Sequence, residues 1–358
     1  MSELINKSDN RATIRWKLLT SASALALAAY VSSANAANAE DASRPPIWIE
    51  SDGAFSQQET GQEAFLPPFL FSSPFGVPSQ SALRSAPPTI WDKGAKITFQ
   101  PDESDWVFSA SIRFGRNSRS ETRNHLTTQP TRTLTAYNYV NYDAYQNVAA
   151  RNSESHTILD FQAGKDVGLG KLGNSVLSLG VRFAQFNSQS DTKIRSQPTN
   201  TEYNYNRFYA SFAAKRKFSG IGPSLSWEAS TNLAGNPSAG SITFDWGANG
   251  AILFGRQRTK VHHQTTKVFQ SSAARYGGPR TVVYQSPATP THTRSRKVTV
   301  PNLGGFAGLS YRYADAKISL GYRADFFFNA IDGGIDTAKK EDRAFYGPYA
   351  SISIGLGD

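Results

Sequence analysis

The chain has no cysteine and a single methionine in 358 residues. Without thiols there is no disulfide and no thiolate-held metal, so stability must come from hydrogen bonding and packing. Long hydrophobic runs are also missing. The longest apolar stretch, 18–31, is diluted by Ser and Ala and falls short of the ~20 residues that a spanning helix needs. A helical membrane protein is thereby excluded. Acid is scarce too: no Asp or Glu occurs between Asp245 and Asp315, in a chain whose net charge is +10. Such a balance suits anionic lipid or anionic solutes, or nucleic acid.

The first forty residues bear on which of these partners is met. Lys7, Arg11, Arg15 and Lys17 form a basic head, the 18–31 stretch an apolar middle, and Ala34-Asn35-Ala36 a small-residue cleavage site, with Ala37-Asn38-Ala39 as the alternative. This order reads as a secretory leader over 1–36, removed on export, followed by one domain over 37–358. Export makes nucleic acid an unexpected partner.

What the chain does have is aromatics, 22 Phe, 15 Tyr and 6 Trp, which favour strands over helices. They fall in alternating segments. Over 105–115, Trp106, Phe108, Ala110, Ile112 and Phe114 share one face, against Ser109, Ser111, Arg113 and Gly115. Over 317–329, Ile318, Leu320, Tyr322, Ala324, Phe326 and Phe328 oppose Ser319, Gly321, Arg323 and Asp325. The segment 349–356 repeats the pattern, and 155–169, 175–187, 203–218 and 223–233 do so less regularly. A period of two means a strand with one apolar face. A soluble β-sandwich or β-helix shares that period. The broad apolar stripes containing Trp106, Phe212, Trp227 and Phe328 favour instead a lipid-facing band.

Connections alternate in length. Long ones are expected near 57–92, 117–153, 190–201, 234–240, 263–297 and 331–342, and short ones at 101–104, 170–174, 219–222, 249–250 and 314–316. Asn249-Gly250 suits the positive φ angles of a two-residue hairpin. Short turns on one side and long external loops on the other belong to a transmembrane antiparallel up-and-down β-barrel. This count gives about twelve strands, with ten or fourteen as alternatives. Aromatic girdles are expected from Trp106, Phe218, Trp246 and Tyr313 beside short turns, and from Phe114, Tyr203, Phe328 and Tyr346 beside long loops.

Enzymatic features are weak. The five histidines are His125, His156, His262, His263 and His292, and no G-x-S-x-G element surrounds a serine. His262 and His263 are adjacent, so on a strand they point to opposite faces and make a poor metal pair. Gly164, Gly168, Gly170 and Gly173 flank a hairpin and open no helix, so they serve turning rather than phosphate binding. Neither catalysis nor a cofactor nor a metal is expected.

The charged residues of the polar faces, Arg113, Arg182, Arg207, Glu228, Arg323 and Asp325, are the expected pore lining, with more Arg than acid. Nine further cations crowd the acid-free interval: Arg256, Arg258, Lys260, Lys267, Arg275, Arg280, Arg294, Arg296 and Lys297. Folded into the barrel mouth, they would favour anions by focused potential. Splayed outward, they would pair with lipopolysaccharide phosphates.

Several segments carry a family likeness. They are Asp105-Trp106-Val107-Phe108, Leu179-Gly180-Val181-Arg182-Phe183-Ala184, Phe244-Asp245-Trp246-Gly247, Leu253-Phe254-Gly255-Arg256-Gln257, Gly321-Tyr322-Arg323-Ala324-Asp325 and Tyr346-Gly347-Pro348-Tyr349. In this order, from about Trp48 onward, the chain resembles the Legionella-type major outer membrane protein family of pore-forming barrels. The resemblance implies a porin-like channel in the bacterial outer membrane, passing small hydrophilic solutes. Its expected partners are outer-membrane lipid, lipopolysaccharide and the barrel-assembly machinery. A closed barrel with a structural or surface-recognition role is the alternative.

Overall fold

A computed structural model describes residues 46–59, 89–101, 104–132, 139–169, 173–198, 205–236, 239–271, 280–285, 291–335 and 337–356. The expected leader, 1–36, lies outside them. The strands are β1 (Ile47–Glu59), β2 (Thr89–Phe99), β3 (Trp106–Arg132), β4 (Tyr139–Asp166), β5 (Asn174–Pro198), β6 (Tyr205–Asn236), β7 (Gly240–Ser271), β8 (Arg280–Gln285), β9 (His292–Tyr313), β10 (Ala316–Asp332) and β11 (Lys340–Leu356). Each pairs antiparallel with its neighbours, and β1 joins both β2 and β11, so that Ile47 faces Phe99 on one side and Leu356 on the other. That pairing closes the sheet. The ring has ten strands; β8 stands outside it, paired only with the far end of β7. Closure removes every sheet edge from the membrane, where an unpaired backbone group is costly.

Two expected turns are absent, which is why the ring has ten strands and not twelve. Ser219–Gly222 and Asn249-Gly250 lie inside β6 and β7, with Leu225 opposite Gly250 and Ser226 opposite Asn249. The residues look like turn formers because a polar lumen uses the same small and amide side chains. Asn249 turns inward to accept from Arg182, and Gly220 and Gly255 clear space for the Phe218 ring, whose atoms would meet an added Cβ at 2.5 and 2.9 Å. The genuine turn lies at 234–240, expected as an external loop. There Gly235 (φ 84°) and Gly240 (φ 106°) supply the left-handed backbone and the Ala239 N–H donates to Asn236 Oδ1 at 2.7 Å. It falls at the same end as the links β2–β3, β4–β5 and β9–β10.

At the opposite end the strands run on. The spans expected as loops at 117–153 and 263–297 are largely hairpin: β3 and β4 pair from Trp106–Lys165 out to Arg132–Tyr139. At this end 60–88, 133–138, 199–204, 272–279, 286–290 and 336 fall outside the described residues.

Facing follows the alternation. Leu320 is 62% exposed and its neighbour Ser319 only 6%. On β7 the outward apolar row runs from Ile242 to Phe254, roughly 30 Å along the barrel axis once strand tilt is allowed for. Trp106 and Tyr313 are exposed near the short-turn end, and Phe114 marks the other rim. Phe212 and Phe218, expected on the lipid face or in a girdle, instead point into the lumen and are buried. Both are in phase with the inward Arg216. Tyr203 lies outside the described residues.

Candidate functional site

Inward side chains divide the lumen into levels. Toward the short-turn end is a polar chamber of about 310 Å³. Its walls carry five of the six expected lining residues, Arg113, Arg182, Glu228, Arg323 and Asp325. The sixth, Arg207, pairs through its backbone with Val268, and its side chain lies outside the described residues.

These charges are paired inside the lumen, some across it and some between nearby strands. Arg113 Nη1 meets Asp325 Oδ2 at 2.6 Å, and Lys96 Nζ reaches both oxygens of Glu228 at 2.9 Å. Arg323 bonds Asp52 at 2.5 Å and Lys317 bonds Asp245 at 2.6 Å. Arg182 donates twice to Asp160, at 2.6 and 3.0 Å, and its remaining nitrogen donates to Asn249 and Asn302. A guanidinium in this fork geometry is satisfied without water. The chamber holds six acids (Glu50, Asp52, Asp160, Glu228, Asp245, Asp325) against five cations (Lys96, Arg113, Arg182, Lys317, Arg323). The expected surplus of Arg is therefore not found there. Glu50, Asp52, Asp160 and Asp245 were the missing acids, and each sits in the polar phase of its strand.

Beyond the chamber the lumen turns apolar. Ile90, Ile158, Phe186, Phe218, Leu253, Val300, Phe327, Ile331 and Phe345 form one buried cluster supplied by eight of the ten ring strands. Phe186 is the hub, 4.7 Å from Phe327 and 5.6 Å from both Phe218 and Phe345, measured between ring centroids. A missed signal marks this layer: each of the four Phe occupies the polar phase of its strand, as Phe327 follows Ser319, Gly321, Arg323 and Asp325.

The β10–β11 connection completes the closure. It was expected as an external loop at 331–342, yet Ala330, Ile331 and Asp332 are all at most 3% exposed. β10 loses register between Phe327 and Ile331, and Asn329 adopts φ 56° there, which turns the chain inward. Gln257 Nε2 holds the Asn329 carbonyl at 2.6 Å. Arg294 then clamps the connection through Asp332 (3.0 Å) and the carbonyls of Gly334 and Ile335 (both 2.7 Å). Ile335 packs against Phe212, Ala214 and Val261 on the wall.

The nine cations of the acid-free interval are separated by strand alternation and do not act as one loop. Arg294 and Arg296 point inward, where Arg296 donates to Gln257 at 2.7 Å. Arg256, Arg258, Lys260 and Lys297 are exposed on the outer wall. Arg280 pairs through its backbone with Ser271, while its side chain, that of Lys267, and the whole of Arg275 lie outside the described residues.

Of the histidines, His156 is buried in the lumen, 3.3 Å from Asp92 Oδ1, with its ring tilted 44° against that of Phe345 at 4.2 Å between centroids. Asp92 also accepts from Ser56. The carboxylate thus lies between Ser and His, and this is not the order of a charge-relay nucleophile, in which His separates the two. Among the described residues no group of His and carboxylates has metal-site geometry.

A closed ten-strand barrel with an apolar outer band and a charged lumen has one natural setting, and sequence comparison agrees with it. The family described as Legionella pneumophila major outer membrane protein precursor matches residues 99–355. The chain belongs to this family. It is an outer-membrane β-barrel, so the short turns face the periplasm and the long hairpins the exterior. No curated protein matches the sequence. Among solved structures, the transport unit of the autotransporter AIDA-I from Escherichia coli is similar at 6% identity and TM-score 0.25, covering 89% of this chain and 93% of that one. A bacterial polysaccharide outer membrane secretin is similar at 10% identity and TM-score 0.18, covering 88% and 99%.

Proposed function

We propose that this family member is a narrow outer-membrane channel for small hydrophilic solutes, shut at rest by the apolar layer across its lumen. The observation that carries the reading is the sequence of levels: a polar, charge-paired chamber on the periplasmic side, closed above by a Phe-rich layer. An apolar constriction blocks ions without touching them, because water leaves a gap that offers it no hydrogen bonds. In this reading opening requires the β10–β11 connection to withdraw, which Arg294 holds through Gly334 and Ile335 and which packs through Ile335 on the wall.

Its anchors are polar and replaceable by water, chiefly the Arg294 contacts, which suits a part that moves. The absence of cysteine makes a direct test clean. With Ile335→Cys and Val261→Cys, the latter in the cluster against which Ile335 packs, oxidation is expected to tie the connection to the wall. Proteoliposomes carrying the reduced double variant are expected to leak glycine faster than protein-free ones. Oxidation is expected to stop the leak and reductant to restore it. Leak that ignores oxidation rejects the connection as the gate.

A second reading is a closed structural barrel without transport. The observation in its favour is that Ile90, Phe218 and Phe327 are 0% exposed, so solvent does not reach these side chains of the layer. Absence of leak in both redox states selects it.

A further inference from the structure

The outer wall carries a cationic patch that neither the lumen nor the fold accounts for. Just past the outermost apolar residues, Ile221 on β6 and Phe254 on β7, the outward rows become Lys217 and Lys215 on β6, Arg256, Arg258 and Lys260 on β7, and Lys297 on β9. All six are exposed, and among the described residues none forms an ion pair.

Their register is unfavourable by itself. Lys215 stands directly opposite Lys260, Lys217 opposite Arg258, and Arg256 opposite Lys297. Like charges facing across a strand pair destabilise a sheet unless an anion lies between them. Asp191 on β5 stands opposite Ala213, two residues further out than Lys215, and accepts from Gln189 Nε2 at 2.8 Å.

We propose that this patch binds the phosphates of lipopolysaccharide in the outer leaflet. The proposal rests on the outer-membrane setting and not on channel activity. Height and chemistry agree. The patch begins where the apolar band ends on the exterior side, the level of a lipid headgroup. The row beneath it, Ile252, Phe254 and Ile221, offers acyl chains an apolar wall. Two bidentate-capable guanidiniums flanked by four amines match a phosphorylated sugar better than a carboxylate surface.

The test uses purified full-length protein in detergent and purified lipopolysaccharide, with affinity read by native mass spectrometry. The triple variant Lys217→Gln, Arg256→Gln, Arg258→Gln is expected to bind about tenfold more weakly, given three lost exposed ion pairs. Wild type is expected to bind enzymatically dephosphorylated lipopolysaccharide equally weakly. The pair Arg116→Gln, Arg151→Gln, exposed on β3 and β4, is expected to leave affinity unchanged. Unboiled electrophoretic mobility checks folding, and Arg258→Gln alone substitutes if the triple variant fails it. Unaltered binding by the patch variant overturns the proposal. So does equal binding of dephosphorylated lipid, or an equal loss in the β3–β4 control, which would mean general charge attraction.

Discussion

Arg113 on β3 and Asp325 on β10 meet at 2.6 Å from strands four places apart in a ring of ten, so one ion pair spans most of the barrel's width. Asp325 is 3% exposed and Arg113 16% at the side chain, so the pair is part-buried, with its acid the more enclosed partner. Removing one partner strands the other. Asp325→Ala is expected to destabilise the barrel by about 3 kcal/mol, toward the low end for a buried pair because water enters the chamber. A lowered temperature for loss of unboiled electrophoretic mobility checks it. An unchanged transition would mean the lumen solvates Arg113 freely.

Facing is testable on one strand. Leu320→Arg places charge in the lipid band and is expected to cost about 2–4 kcal/mol. Ser319→Arg faces the chamber, near Asp245 through Ser310, and is expected to cost far less. Urea titration of both in liposomes compares them. Equal losses would contradict the assigned orientation.

The periplasmic turn between β9 and β10 has two residues, and Ala314 within it holds φ 48°. That backbone suits glycine or asparagine and strains alanine. Ala314→Gly is expected to stabilise the barrel by about 0.5–1 kcal/mol, measured in the same titration. A loss of stability would show that the turn relaxes in the membrane.

Selectivity follows the charge balance of the chamber. With six acids against five cations, the permeability ratio of potassium to chloride is expected to lie near unity. A reversal potential close to zero in a potassium chloride gradient checks this. Strong anion preference would mean that Arg294 and Arg296, not the chamber, control the ion path.

The barrel was legible in the sequence because its outer face obeys a simple rule, one apolar residue in two, as in 105–115 and 317–329. Its lumen was less so. Asn249 and Gly220 carry the chemistry of turns yet serve an arginine and a phenylalanine, which is why local sequence suggests turns inside β6 and β7. Arg182, Arg113 and Asp325 could be placed by phase alone; Asp160 faces Arg182 across the neighbouring β4–β5 pair, whereas Arg113 and Asp325 meet only because the ring closes. The apolar layer broke the pattern the outer face keeps. Phe186, Phe218, Phe327 and Phe345 look like noise in four separate strands and become one structure in the ring. Inward folding of 332–335 depends on Asn329 and a distant Arg294, a relation no local window contains.

The apolar layer is most directly tested by single-channel recording of Phe186→Ser, Phe327→Ser beside wild type in planar bilayers. Two hydroxyls at the hub give water hydrogen-bond partners where it had none, so the barrier to wetting falls. Wild type is expected to show rare, brief steps, and the double variant steps that are frequent and several times more lasting. A folded double variant that conducts no more than wild type would contradict the account.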